Sequence, residues 1–295
     1  GWHDYVVGER TESGTVAMGV PKETLANVVV VPQNDLRLLE QTLDQESDIA
    51  AVIIEPTGYH WGAGPTSIPF LKGLRELTKE RNVVLIFDEV ITGFRASKGG
   101  AQEYYGIKPD MCSMAKIVAG GLPGGAVAGR ADILGMIDSG DESMNRSSKN
   151  RVSHPGTFNA NPLSAAAGIA ALEEIATGAP NRAANEAALK LHDAISAAYS
   201  AEGVAGRCYG VASMLHYVIG KQCPEGGFEW PDPMTPPPST DGKAAIAFKQ
   251  SMLNEGVEFM GDGMMVSSVH SDADIAQTAE AFQKSLRALK AESFI

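Results

Sequence analysis

Val83–Arg95 reads VVLIFDEVITGFR, and Ser113–Arg130 reads SMAKIVAGGLPGGAVAGR. The first is a β-branched and aromatic run that stops at the acidic pair Asp88-Glu89, the pattern of a strand buried on both faces and meeting water at its end. The second is another short apolar run, Met111–Ala115, followed by Lys116 and then by the glycine-rich turn Gly120-Gly121-Leu122-Pro123-Gly124-Gly125. Asp88 and Lys116 are 28 positions apart, each at the end of a strand-like run.

Upstream, strand-like and helix-like runs alternate. Asn27–Val31 (NVVVV) reads as a strand. Asp35–Gln45 has Leu36, Leu39 and Leu43 at helical spacing, with Asp35 as N-cap. Ala50–Ile54 reads as a buried strand stopped by Glu55-Pro56. A turn-rich segment, 57–67, then leads to a helix carrying Phe70, Leu71, Leu74 and Leu77. Strand, helix, strand in this order predicts βαβ crossovers and a parallel sheet covered on both faces, with ligands beyond the carboxyl ends of the strands. Downstream, Asn161-Pro162 opens an alanine-rich helix to about Ile175, and a second helix runs from about Arg182 to Tyr199. Val211–Ile219 alternates as a strand with one exposed face. Gln222–Asp241 is proline-rich and reads as a surface excursion, and helices near 243–255 and 273–290 flank a strand at Met264–Val269. The boundary falls near Gly178, giving a large domain over 1–178 and a smaller α+β domain over 179–295.

The chain has 295 residues, enough to bury a full core, with 44% apolar and 20% charged residues. A net charge of −12 argues against nucleic acid or an anionic membrane as partner. Cys112, Cys208 and Cys223 are scattered without metal-ligand spacing, which favours reduced thiols and a cytoplasmic location; no metal is expected. Gly1-Trp2-His3-Asp4-Tyr5 reads as the interior of a domain, so a longer parent polypeptide is expected.

Lys116 carries the chemistry. Apolar neighbours on both sides predict a partly desolvated ammonium, and burial favours the neutral, nucleophilic amine. A carboxylate beside it, able to hold a ring nitrogen protonated, completes the requirement of pyridoxal 5'-phosphate, which needs an amine for a Schiff base and an acid opposite. Val90 would offer an apolar surface to the flat ring.

Phe87–Arg95, Ala115-Lys116 and Gly120-Gly121 resemble the signature of class III (subgroup II) aminotransferases. Ala101–Asp110 and His154–Pro162 extend the resemblance, most closely towards the branch containing glutamate-1-semialdehyde 2,1-aminomutase. It covers essentially the whole chain. The resemblance implies an α/β, type I pyridoxal-phosphate transferase fold, mainly a parallel sheet flanked by helices. It implies a homodimer with shared active sites, in which Lys116 bears the coenzyme, Asp88 holds the ring nitrogen and Val90 packs on the ring. Thr157 matches the threonine that donates to the phosphate of the neighbouring protomer's coenzyme. The family's ring-stacking tyrosine and phosphate-cradling loop match nothing in this sequence and lie upstream in the family.

Two departures bear on substrate. Tyr59-His60-Trp61-Gly62 is bulkier than the family's loop at that place, which makes Tyr59 and His60 candidate substrate contacts. Gly261–Ala279 holds no arginine to grip a carboxylate, and Ser268-Val269-His270-Ser271 is similar to the aminomutase branch. The expected activity is transamination between an amine or amino acid and a carbonyl acceptor. An aminomutase and an inactive truncated homologue stay open beside it.

Overall fold

The computed structural model describes residues 4, 7–11, 14–137, 152–261 and 263–295. A four-stranded sheet is built from β1 (Ala51–Ile54), β2 (Val84–Glu89), β3 (Met111–Ala115) and β4 (Gly125–Gly129), side by side in that order. β1, β2 and β3 run parallel, and β4 returns antiparallel to β3. The apolar runs are short because each must span only the sheet, and helices supply the crossovers between parallel strands. Helix α1 (Leu36–Gln45) precedes β1, α2 (Ile68–Glu80) joins β1 to β2, and α3 (Gly100–Tyr105) lies between β2 and β3.

The helix starts follow from local chemistry. Asp35 Oδ1 accepts from Leu38 N at 2.9 Å, and Ser67 Oγ accepts from Phe70 N at 3.2 Å, each satisfying a first-turn amide that has no partner within the helix. Leu39, Leu43, Phe70, Leu71, Leu74 and Leu77 then pack on Leu85, Phe87 and Cys112 from the strands. Because side chains alternate along a strand, the opposite sheet face carries Ile53, Ile86, Asp88, Ser113 and Val127. Ile53 is 49% exposed and Val127 48%, so this chain's helices cover one face, not both as expected.

A second core forms from α5 (Ala179–Glu202), α6 (Gly242–Asn254) and α7 (Asp272–Ala291), packed on the antiparallel strands β5 (Gly206–Val211), β6 (Met214–Ile219) and β7 (Gly263–Met265). Between the two lies α4 (Pro162–Ala176), whose N-cap Asn161 accepts from Leu163 N and Ser164 N. Val211–Ile219 is thus not one half-exposed strand but the end of β5, a tight turn and β6, and every residue of β6 is buried. Helices fill one face of β6. Tyr209 and Trp230, with Val218, close the other, an arrangement that period-two alternation does not reveal. Asn27–Val31 forms no strand, and Val29 is exposed; a β-branched run fits a pleated surface without supplying the neighbouring strand.

The segment 222–241 is held down at several points. Arg207 donates to the carbonyls of Pro224, Gly227 and Glu229, Trp230 Nε1 donates to Asp232 O and Thr235 O, and Asn34 Nδ2 donates to Pro233 O. The loop after β2 is gripped by residues of the second core's elements: Asn181 Nδ2, on α5, donates to Phe94 O and Arg95 O, and Arg95 donates to Ser213 Oγ and Val266 O.

Candidate active site

Three ionisable side chains sit at the carboxyl ends of three adjacent parallel strands. Glu55 follows β1, Asp88 lies in the last turn of β2, and Lys116 follows β3. Ser113 pairs with Asp88 across the ladder, so Lys116 comes three residues past the level of Asp88, just beyond the end of β3.

Asp88 is half-buried. Its Oδ1 accepts from Val90 N and Ser113 Oγ, both at 3.1 Å, while Oδ2 has no hydrogen bond among the described residues. One oxygen fixes the side chain, and the other is left for a donor. Val90, half-buried, follows two residues on. Its neighbour Glu89 points through the sheet instead: 1% exposed, it accepts from Ala101 N, Gln102 N, Gln102 Nε2 and Thr92 Oγ1 and anchors the start of α3. The sequence reading gave Glu89 no role; alternation along the strand was the available signal.

Lys116 departs from expectation. It is exposed, so the desolvation inferred from its apolar neighbours is not present in this chain. Those neighbours turn towards the protein, whereas the lysine, at φ +52°, is turned out of the strand's path. A left-handed backbone at a side-chain-bearing residue costs of order 1 kcal/mol and persists only where the surroundings impose it. Here α4 imposes it. A Cβ on Gly120 would lie 2.3 Å from Ala167 O, and one on Gly168 would lie 2.5 Å from Val118 O, so only glycines allow the turn 116–119 to press this close to the helix.

Glu55 was passed over in the sequence as a strand stop. Its Oε1 accepts from Thr57 N at 2.9 Å and Thr57 Oγ1 at 2.6 Å, while Oε2 is enclosed with no partner. Burial pushes its carboxyl up from the ordinary 4.5 to about 8, against the lowering effect of the Thr57 and Trp61 donors and with a smaller upward push from Asp88.

Of the loop candidates, the Tyr59 side chain lies outside the described residues, and His60 is exposed. His60 (φ +49°) and Trp61 (φ +50°) are consecutive left-handed residues. Trp61 is the aromatic that ties this loop to β6, stacked on His216 at 5.8 Å between ring centres. Thr157 is exposed in the turn before α4. Three cavities of about 730, 460 and 390 Å³ lie elsewhere and include none of Glu55, Asp88 or Lys116.

A free carboxylate oxygen beside an amine at parallel strand ends is the donor set that pyridoxal 5'-phosphate requires. The sequence profile described as aminotransferase class-III matches residues 16–286. The chain belongs to the class-III aminotransferases. It is 34% identical to a glutamate-1-semialdehyde 2,1-aminomutase of Pyrobaculum aerophilum over 99% of this chain and 67% of that protein. A second aminomutase, from Desulfotalea psychrophila, is 37% identical over 92% of the chain and 60% of its own length. An omega-transaminase structure from Sphaerobacter thermophilus superposes with a TM-score of 0.85 at 28% identity, covering 98% of this chain and 66% of that one. The chain thus spans about two thirds of the length of the relatives it matches. The fold is the α/β, type I arrangement expected.

Proposed function

We propose that this chain carries the coenzyme-anchoring side of a pyridoxal-phosphate-dependent aminotransferase that moves an amino group between an amine or amino acid and a carbonyl acceptor. The observation that carries the reading is the pairing of an unengaged Asp88 Oδ2 with Lys116 at neighbouring strand ends. When bound, the coenzyme supplies an aldehyde that condenses with amines and a cationic ring that draws electrons from the substrate carbon. Asp88, kept in place by Val90 N and Ser113 Oγ, would accept the ring N–H through Oδ2, and Val90 would offer its apolar side to the ring. The Lys116 amine would hold the coenzyme and, when free, would take and return the proton at its Nζ.

Thr157 and the exposed apolar side of α4, where Leu163 is 70% and Ile169 60% exposed, support a homodimer with sites shared between protomers. Free Cys112, Cys208 and Cys223 accord with a cytoplasmic location. No described helix is long and apolar enough to cross a membrane. The two apolar cores support a division into domains at 1–178 and 179–295. Tyr59 and His60 are assigned to the substrate side of the loop.

The test is borohydride reduction after addition of pyridoxal 5'-phosphate, followed by peptide mass spectrometry. One coenzyme adduct is expected on Lys116, lost in Lys116→Arg and reduced in Asp88→Asn. Equal labelling of the exposed lysines would refute the site. The names of the relatives favour an aminomutase as second reading. Turnover of glutamate-1-semialdehyde without an added keto acid separates it from a transaminase. The exposure of Lys116 favours a third, a chain that binds coenzyme yet turns nothing over by itself.

A further inference from the structure

The mechanism above leaves Glu55 unused, although it ends the strand next to that of Asp88 and is the more enclosed of the two acids. Its carboxyl is asymmetric. Oε1 is filled by two donors from Thr57, whereas Oε2 is shut off from solvent and makes no hydrogen bond among the described residues; the Trp61 amide, the weakest of the influences on this carboxyl, lies beyond hydrogen-bond reach of it. An ionised carboxylate would leave half of its charge unpaired there, a costly state; a neutral acid keeps Oε1 as acceptor and places the proton on Oε2. The charged and titratable groups acting on it are Asp88, from β2, and Tyr105, from α3, whose phenol burial also pushes up. Neither is a cation, and the one lysine of the site, Lys116, is exposed beyond Asp88 at the end of β3, two strands from Glu55.

That balance changes when a positive ring nitrogen arrives at Asp88 Oδ2. The ring cation offsets the field of Asp88 at Glu55, the smaller of the two causes that hold its proton, and leaves the burial of the carboxyl in place. We propose that Glu55 is a proton reservoir coupled to Asp88: docking of a cationic ring on Asp88 weakens the hold of Glu55 on its Oε2 proton, so that ring binding and Glu55 ionisation favour each other. The inference rests on the coenzyme reading above. Glu55 is a positioning residue in it, acting through Asp88 and touching no reacting atom. By reciprocity, whatever removes the Glu55 proton also tightens ring binding.

Carbon-13 NMR of glutamate-labelled protein reads the acid directly, the Glu55 signal being the one missing from Glu55→Gln. Without ligand its midpoint is expected near 8, in line with the enclosed carboxyl, and Asp88→Asn should lower it. Saturating pyridoxamine 5'-phosphate should move the midpoint down. Between pH 7 and 8 the wild-type affinity for that probe should rise severalfold relative to Glu55→Gln, with tenfold per unit as the ceiling for one proton. A ligand-free midpoint near the ordinary carboxylate value overturns the inference. So does binding with no movement of the Glu55 signal, which leaves the coenzyme reading intact. Absence of binding overturns both.

Discussion

Glu89→Gln tests how the acidic pair of β2 divides its work. The Glu89 carboxylate is 1% exposed and accepts four hydrogen bonds, two on each oxygen: Ala101 N at 2.6 Å and Thr92 Oγ1 at 3.3 Å on Oε2, Gln102 Nε2 at 3.0 Å and Gln102 N at 3.3 Å on Oε1. Glutamine has the same shape but one acceptor. In either orientation its NH2 faces two donors, so two hydrogen bonds are lost and two buried donors are stranded. At about 1–3 kcal/mol for each group left unsatisfied, and about 0.5 kcal/mol for losing a negative charge at the start of α3, the loss is about 3 kcal/mol. Hydrogen exchange followed by mass spectrometry should then show the peptide over 90–105 losing protection by about a hundredfold. Urea denaturation should show a matching fall in midpoint. Glu76→Gln, exposed on α2, serves as control and should stay within about 0.5 kcal/mol of the parent. Exchange of Glu89→Gln indistinguishable from the parent would refute the claim that a carboxylate, and not merely a side chain of that size, closes this loop.

Gly100→Ala should be nearly as damaging, because an added Cβ would stand 2.2 Å from Glu89 Oε2 at φ +75°; a loss of about 2 kcal/mol or more is expected in thermal unfolding, and an unchanged Tm would contradict it. Arg207→Ala should free the segment 222–230, whose carbonyls at Pro224, Gly227 and Glu229 it holds, and limited proteolysis should cut there first. Cleavage at the parent's sites and rate would count against that clamp. Glu55 has a folded value raised to about 8 from 4.5, so its contribution to stability is fully present below about pH 4.5 and declines as pH rises towards 8. The stability of the parent relative to Glu55→Gln should therefore fall by about 1.4 kcal/mol per pH unit across that window, and a flat difference would show Glu55 to be ionised in the folded state.

How far the sequence can be read depends on how local the deciding interaction is. Strand runs at Ala51–Ile54 and Val84–Glu89, the Asp35 and Asn161 caps and the helix from Phe70 to Leu77 are set by neighbours within a few residues, and they are where the pattern puts them. Asp88 and Lys116 were legible for the same reason: each ends an apolar run. Glu55 ends one too, at AVII, yet without the ladder nothing marks it as the enclosed acid beside Asp88. The exposure of Lys116, the full burial of β6 and the coil at Asn27–Val31 are decided by packing across tens of residues. An apolar neighbour in sequence says which way that neighbour faces, not which way the lysine does.

The two acids of β2 show why a strand end is a good place to keep a reactive group. Alternation sends Glu89 into the helix-covered side, where four donors consume its charge, and sends Asp88 to the side that the helices leave open. The buried partner immobilises the backbone on which the exposed one stands, so Asp88 needs only Val90 N and Ser113 Oγ to be aimed and can leave an oxygen free. Reversing the order of the pair would put an aspartate, one methylene too short, before the Ala101 and Gln102 donors, and a longer, less constrained glutamate before the ring. The double exchange Asp88→Glu with Glu89→Asp should thus lose both the protection of the 90–105 peptide and coenzyme labelling at Lys116, although composition and charge are unchanged. Retention of both would mean that the site tolerates a shifted carboxylate and that the register of β2 does not aim it.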